Sequence, residues 1–340
     1  MAPLSRRQFF KKTATDTTLA ALLASQVAKL RAASPYDWPI GMQIFPLRQM
    51  IDTDFRGTMK QVADAGIQTV ELLSPWYHEN KFGLADMEKY TGAEIVKILG
   101  DLGLKAVSAH VDMTECRGEK LPKIIQWAKD RGLSQICVPS LDGPTKPPDN
   151  TMDTVKRLCD EYNHAGEMSQ KAGLKQGLHT EGFELSMVDG KRVFDHMLTG
   201  LIDPKLVRFQ FQISTIAQGL DPVTYFNKNP GRFISMHLQD VDLTPQPAAP
   251  PPPAPAKTDA AGGAAGQAPA AGSGQGPSAG SGQAGRGRGR GNTQKPIGQG
   301  SVDWKAVFTA AKTGGVQNYF IEMNLDLVKA SVPYLKGLKV

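Results

Sequence analysis

Lys105-Ala106-Val107-Ser108-Ala109-His110-Val111 is a short, largely apolar run of strand length. Before it stands Gly92–Leu102, whose apolar residues recur at three- and four-residue spacing and which is closed by Gly103. After it comes Leu121–Arg131, a stretch of the same kind closed by Gly132. The first pattern suits a buried strand and the second an amphipathic helix. A glycine just past a helix end takes the left-handed conformation without steric cost, so strand, helix and glycine read together as one repeating βα unit.

The unit recurs in both directions. Eight strand-like runs are found: Ile40–Leu47, Thr69–Leu73, Lys105–Val111, Gln135–Ser140, Lys175–His179, Val207–Ile213, Phe233–Val241 and Asn318–Met323. Helical spacing marks Phe55–Ala65, Met152–Ala172 and Trp304–Lys312 as well, and Gly66, Gly173 and Gly315 punctuate the chain before the next strand. Alternation of this kind predicts a parallel sheet, and eight units predict a closed (β/α)8 barrel. The first strand is not followed by G-x-G-x-x-G, which argues against a dinucleotide-binding half.

The chain of 340 residues is longer than the ~250 such a barrel takes, and two segments account for the excess. Residues 1–34 begin Ser5-Arg6-Arg7-Gln8-Phe9-Phe10-Lys11 ahead of the mildly apolar Thr17–Ala28, the pattern of a twin-arginine export signal, with cleavage expected near Ala32-Ala33-Ser34. The expected partner is therefore the twin-arginine export machinery, and the expected location is periplasmic or extracellular. The apolar stretch is too short for a membrane span, so none is expected in the mature chain.

Thr244–Gly298 is the other extra segment, almost wholly Pro, Ala, Gly, Ser and Gln, and it is expected to be a disordered insert after the seventh strand. The leader carries a net charge of +5 and the insert +4, which leaves −3 for the rest of a chain whose total is +6. The basic excess thus lies outside the barrel, and nucleic-acid binding is not expected. Cys116, Cys137 and Cys159 have neither C-x-x-C spacing nor an even count, and read as buried apolar residues.

Functional groups of such a barrel sit at or just beyond the carboxyl ends of its strands. Those positions hold Arg48, Glu71, His110, Glu184, Gln212, His237 and Glu322. His179 and Glu181 can line the same mouth, whereas His78, His164 and His196 have no convergent neighbours in the pattern. A glutamate in an apolar strand needs a cation, a metal or an arginine beside it. Carboxylate, amide and imidazole donors on successive strands suit one divalent ion, Mn²⁺, Mg²⁺, Co²⁺ or Zn²⁺.

Ile40–Arg48 (IGMQIFPLR), Val107–His110 (VSAH), Asp203–Val207 (DPKLV), Asn229–Phe233 (NPGRF), Ile297–Trp304 (IGQGSVDW) and Tyr319–Glu322 (YFIE) resemble the sugar phosphate isomerase/epimerase family. These are the xylose isomerase-like, or AP endonuclease family 2, barrels. The resemblance runs from Ile40 to Leu335, interrupted by the insert. It implies one divalent metal held at Glu184, Gln212, His237 and Glu322, with Arg48, Glu71, His110, His179, Glu181 and Gln239 facing a small sugar substrate. It further implies that Glu184 and Glu322 act as base and acid in proton transfer next to a carbonyl.

The chain departs from that family's pattern at three places. His179-Thr180-Glu181-Gly182-Phe183-Glu184 replaces H-N-H-D-F-E, Gln212 stands for an Asp, and Gln239 stands where a Lys is frequent. The implied ligand set has two formal negative charges where relatives have three. Export points away from phosphorylated metabolites and toward free sugars, keto-sugars or keto-glycosides, for epimerisation, isomerisation, elimination or hydration. The alternative expectation is a barrel that binds carbohydrate or protein without turnover.

Overall fold

The computed structural model describes residues 38–243 and 294–340. The expected leader lies outside the described residues, as does the expected insert except for its last residues, 294–298. Eight parallel strands close into a barrel: β1 (Gly41–Gln43), β2 (Thr69–Leu73), β3 (Lys105–His110), β4 (Gln135–Val138), β5 (Lys175–His179), β6 (Val207–Gln212), β7 (Phe233–Leu238) and β8 (Asn318–Ile321). Each pairs with its neighbours in sequence, and β8 closes on β1 through Gly41 opposite Phe320 and Met42 opposite Ile321.

The outer helices are α1 (Phe55–Asp64), α2 (Gly92–Asp101), α3 (Lys120–Asp130), α4 (Met152–Lys171), α5 (Val193–His196), α6 (Pro222–Lys228), α7 (Trp304–Gly314) and α8 (Leu325–Gly337). Polar side chains start most of them. Asp54, Asp303 and Asn324 accept from backbone N–H groups of the first turn, and Thr91 with Glu94 forms a reciprocal capping box. The five punctuating glycines all have positive φ, from 64° at Gly132 to 91° at Gly66. Between β5 and β6 the helical layer is short, since α5 is a single turn running into a π-helical turn, Met197–Leu201, broken at Gly200.

Side chains alternate along the strands, except where β3 and β7 each carry an extra residue, at Val107 and Ile234. Met42, Val70, Phe209, Phe211, Phe233 and Tyr319 face the helices and are fully buried in the apolar layer. The opposite face fills the barrel, and it is polar: Ser108 and Gln210 hydrogen-bond Glu71, while Gln210 and Gln135 reach Ser235 across the interior. This differs from the branched aliphatic layers usual inside such barrels. Register irregularities at Val70/Glu71 and Phe209/Gln210 re-aim two of these polar side chains.

Where an insert ending at Gly298 was expected, the structure has order from Gln294 onward. Gln294–Lys295 pair antiparallel with Asp240–Val241. The cause is Asp240, a fully buried carboxylate that accepts from the backbone N–H of Val241, Gly298, Gly300 and Val302 and from Trp304 Nε1, at 2.8–3.3 Å. A side chain at Gly300 would collide with that carboxylate, so the Gly-Gln-Gly phrase is the cradle of Asp240. Among the described residues, no helix is long and apolar enough to cross a membrane.

Candidate active site

Glu71 is completely enclosed in the barrel. Its Oε1 accepts from Ser108 Oγ at 2.6 Å and Gln210 Nε2 at 2.9 Å, while its Oε2 lies 2.6 Å from His237 Nε2 and 3.3 Å from His110 Nε2. The cation that a buried strand glutamate requires is therefore an imidazolium. Burial alone would lower the pKa of His237, but Glu71 and Glu322 outweigh it and raise it to about 10. Burial pushes the Glu71 carboxyl up, and His110 and His237 more than reverse this, bringing it to about 2.

The other two rings are neutral. Burial, with His237 and His110 beside it, holds His179 well below its ordinary value, and burial likewise lowers His110. Both donate to one acceptor, Gln210 Oε1, His110 from Nε2 at 2.7 Å and His179 from Nδ1 at 3.0 Å. The His179 and His237 ring centroids are 4.6 Å apart.

Above this layer, toward the carboxyl ends, Glu322 Oε2 accepts from Gln212 Nε2 and Gln239 Nε2, each at 2.7 Å. His237 Nδ1 is 3.4 Å from the same oxygen without hydrogen-bond geometry. Burial raises the Glu322 pKa, but His237, His110 and the Gln212 bond together lower it. A recess of about 220 Å³ opens here, lined by Phe45, Arg48, Gln239, Gln294, Glu322 and Asn324. The Arg48 guanidinium lies over the Phe45 ring, 4.3 Å from its centroid, and donates to Phe45 O at 3.1 Å.

Gln212, Gln239, His237 and Glu322 thus converge, with Glu71, His110 and His179 beneath or beside them. Glu184 is placed differently. It follows β5 by five residues in the short turn Gly182–Leu185, which directs its Oε1 to the backbone N–H of Leu141 at 2.9 Å. None of its hydrogen bonds goes to His237, Gln212 or Glu322. Burial raises its carboxyl to about 8, and Oε2 has no hydrogen-bond partner among the described residues. Glu181 Oε2 lies 3.9 Å from His179 Nε2.

His78 and His164 are exposed, and His196 is half-buried against Val188 O. The three cysteines are buried and free. Sequence reasoning passed over Gln210, Ser108 and Ser235, the groups that orient the imidazoles. Their signal was the two-residue alternation: Gln210 and Gln212 share a face of β6, Ser108 and His110 a face of β3, and Ser235 and His237 a face of β7.

The donors at this level fit a divalent ion. His110, His179 and His237 can each offer a ring nitrogen such that all three lie within 4.8 Å of one another. His179 Nε2, Gln212 Oε1 and His237 Nδ1 are buried without hydrogen-bond partners among the described residues. Buried polar atoms are almost always satisfied, so three such atoms beside a carboxylate mark a place for a ligand.

The architecture is that of the xylose isomerase-like (β/α)8 barrels. A sugar phosphate isomerase/epimerase from Parabacteroides distasonis superposes with a TM-score of 0.60 at 21% identity, covering 87% of this chain and 93% of that one. The probable 3-DHS dehydratase AsbF, involved in petrobactin synthesis in Bacillus anthracis, gives 0.59 at 13% identity over 88% and 98%. A xylose isomerase-like barrel protein from Mycobacterium smegmatis, in complex with magnesium, gives 0.56 at 10% identity over 88% and 96%. No family model matches the chain, and no curated protein matches its sequence.

Proposed function

We propose that the protein is an exported, divalent-metal-dependent isomerase or epimerase, or a related lyase or hydratase, that moves a proton next to the carbonyl of a free sugar, keto-sugar or keto-glycoside. The observation that carries this reading is the set of unpartnered atoms, His179 Nε2, Gln212 Oε1 and His237 Nδ1, of which the last two belong to side chains in contact with Glu322, a wall of the recess. A metal held there would supply Lewis-acid stabilisation of the charge that develops on the substrate oxygen.

The protein's own groups divide the remaining work. Arg48, Gln239 and Asn324 line the recess with donors suited to hydroxyls. Glu322, kept ionised beside the recess, is the candidate base, whereas Glu184, kept protonated near neutral pH by burial, makes no hydrogen bond to His237, Gln212 or Glu322 and is not assigned the role of the acid. Glu71, Gln210 and Ser108 hold the imidazoles in fixed orientations.

The test is exchange of substrate hydrogen with deuterium oxide, followed by nuclear magnetic resonance across a panel of sugars, keto-sugars and keto-glycosides, with and without chelator. Exchange that stops in Glu322→Ala supports the reading. An absence of exchange and of product across the panel overturns it. The export component is tested separately: Arg6→Lys with Arg7→Lys should retain the protein in the cytoplasm.

A non-catalytic carbohydrate- or protein-binding barrel is the second reading. It is favoured by the two amides, Gln212 and Gln239, that already occupy Glu322. Saturable sugar binding without exchange would select it.

A further inference from the structure

The orientation of His237, beside Glu322, and of His179, whose ring centroid is 4.6 Å from that of His237, is decided by what lies on their far sides. His237 directs Nε2–H to Glu71 Oε2 at 2.6 Å, and His179 directs Nδ1–H to Gln210 Oε1 at 3.0 Å. The remaining nitrogens, His237 Nδ1 and His179 Nε2, are the ones left without hydrogen bonds. Gln212 repeats the arrangement, with its Nε2 on Glu322 and its Oε1 unpartnered. His110 does not, since its Nε2 is on Gln210 and its Nδ1 faces Gln43 Nε2 at 3.5 Å.

We infer that the metal ligands of this chain are His179 Nε2, Gln212 Oε1, His237 Nδ1 and Glu322, with an imidazole at the end of β5 in the place the resemblance gave to Glu184. All four side chains are buried and stand at or just past the ends of consecutive strands, β5 to β8. Glu184 has Oε1 on the Leu141 N–H and Oε2 unpartnered, but unlike the other four it makes no hydrogen bond, ion pair or ring contact within this group, and it takes no part in holding the ion. Two imidazole nitrogens, a neutral amide oxygen and one carboxylate form a donor set much poorer in hard anionic oxygen than magnesium or calcium sites. Imidazole suits zinc and the later first-row ions, so this site selects Zn²⁺ or Co²⁺ over Mg²⁺ and Mn²⁺.

The outward hydrogen bonds are part of the selection. Glu71 and Gln210 fix which nitrogen of each ring faces inward, the role that partners behind ligating histidines generally have, and an ion bound at His237 Nδ1 would displace the proton held there in its absence. Glu71 also makes the His237 ring a more basic ligand.

The inference rests on the metal-dependent reading above, and the experiment separates the two. Full-length protein freed of metal is titrated with Co²⁺, Zn²⁺, Mg²⁺ and Mn²⁺ by calorimetry, and the Co²⁺ adduct is recorded by visible absorption. Co²⁺ and Zn²⁺ should bind roughly 100-fold or more tightly than Mg²⁺, as imidazole-rich donor sets favour. His179→Ala and His179→Gln should each weaken Co²⁺ by about 10- to 100-fold or more and alter its visible bands, a loss on the scale known for metal-site partners. Glu184→Gln should leave affinity and spectrum unchanged.

Circular dichroism of both His179 variants separates loss of ligand from loss of fold. Unchanged Co²⁺ binding in folded His179→Gln, loss of binding in Glu184→Gln, or a preference for Mg²⁺ overturns the inference. So does an absence of divalent-ion binding in wild type. In that event, chelator-resistant deuterium exchange would show that proton transfer stands without the metal, whereas metal binding without exchange would retain the site and remove the activity.

Discussion

His237 Nε2 lies 2.6 Å from Glu71 Oε2 with both side chains wholly buried, so the centre of this barrel is an ion pair in place of an aliphatic layer. An unpaired ion at that depth is strongly unfavourable, and each partner exists in its charged form because of the other.

Glu71→Ala should therefore destabilise the metal-free protein by about 3–5 kcal/mol, the cost of stranding one member of a buried pair. The pH dependence follows from the directions of the shifts. His237 titrates at about 10 against an ordinary 6.5, so its stabilisation is whole below 6.5 and is lost as pH rises toward 10. Glu71 titrates at about 2 against 4.5, so its contribution is present above 4.5 and is lost as pH falls toward 2. Urea denaturation of wild type with chelator, across pH, should show both falling limbs, and Glu71→Ala should flatten them.

Glu115 behaves in the opposite sense. Burial raises its carboxyl to about 7 from 4.5, against the hydrogen bonds from Ser74 Oγ at 2.5 Å and Asp112 N–H at 2.9 Å, which lower it. The folded state binds this proton more tightly than the unfolded chain, so the contribution is greatest below pH 4.5 and declines as pH rises through 7. Glu115→Gln keeps the acceptor oxygen and removes the charge. Its melting temperature should exceed that of wild type at pH 8, by the equivalent of about 3 kcal/mol, and match it at pH 4.5.

Asp240 secures the return of the chain after the segment that follows β7. Asp240→Ala removes a carboxylate that accepts from four backbone N–H groups and the Trp304 indole, and leaves those donors buried. A loss of about 3 kcal/mol or more is expected in thermal denaturation, since each stranded donor costs roughly 1–3 kcal/mol before relaxation. Gly300→Ala should reproduce much of it, because the added methyl displaces the same carboxylate.

Residues 244–293 can be tested by excision. Val241 is paired with Gln294, so the two ends to be joined are already adjacent. Replacing 244–293 by a single glycine should leave the melting temperature unchanged or raise it by a few degrees, because closing the shorter loop costs about 2 kcal/mol less entropy. A fall would assign the segment a part in the folded core.

The strand runs, the helical spacing and the glycines at 66, 103, 132, 173 and 315 made the eightfold βα repeat legible, because period and capping are properties of neighbouring residues. The same local reading selected His237, Gln212 and Glu322 at strand ends, where the structure brings them together. Tertiary structure alone decided how they are partnered. Glu71 and His237 are far apart in sequence and meet only when the barrel closes, and Glu184 carries a motif-like position yet is turned away by a single 3-10 turn. Gln210 and Asp240 drew no notice for the same reason: a hydrogen-bond acceptor gains its role from donors that folding delivers to it from distant strands and loops, and the sequence holds no local trace of which donors those will be.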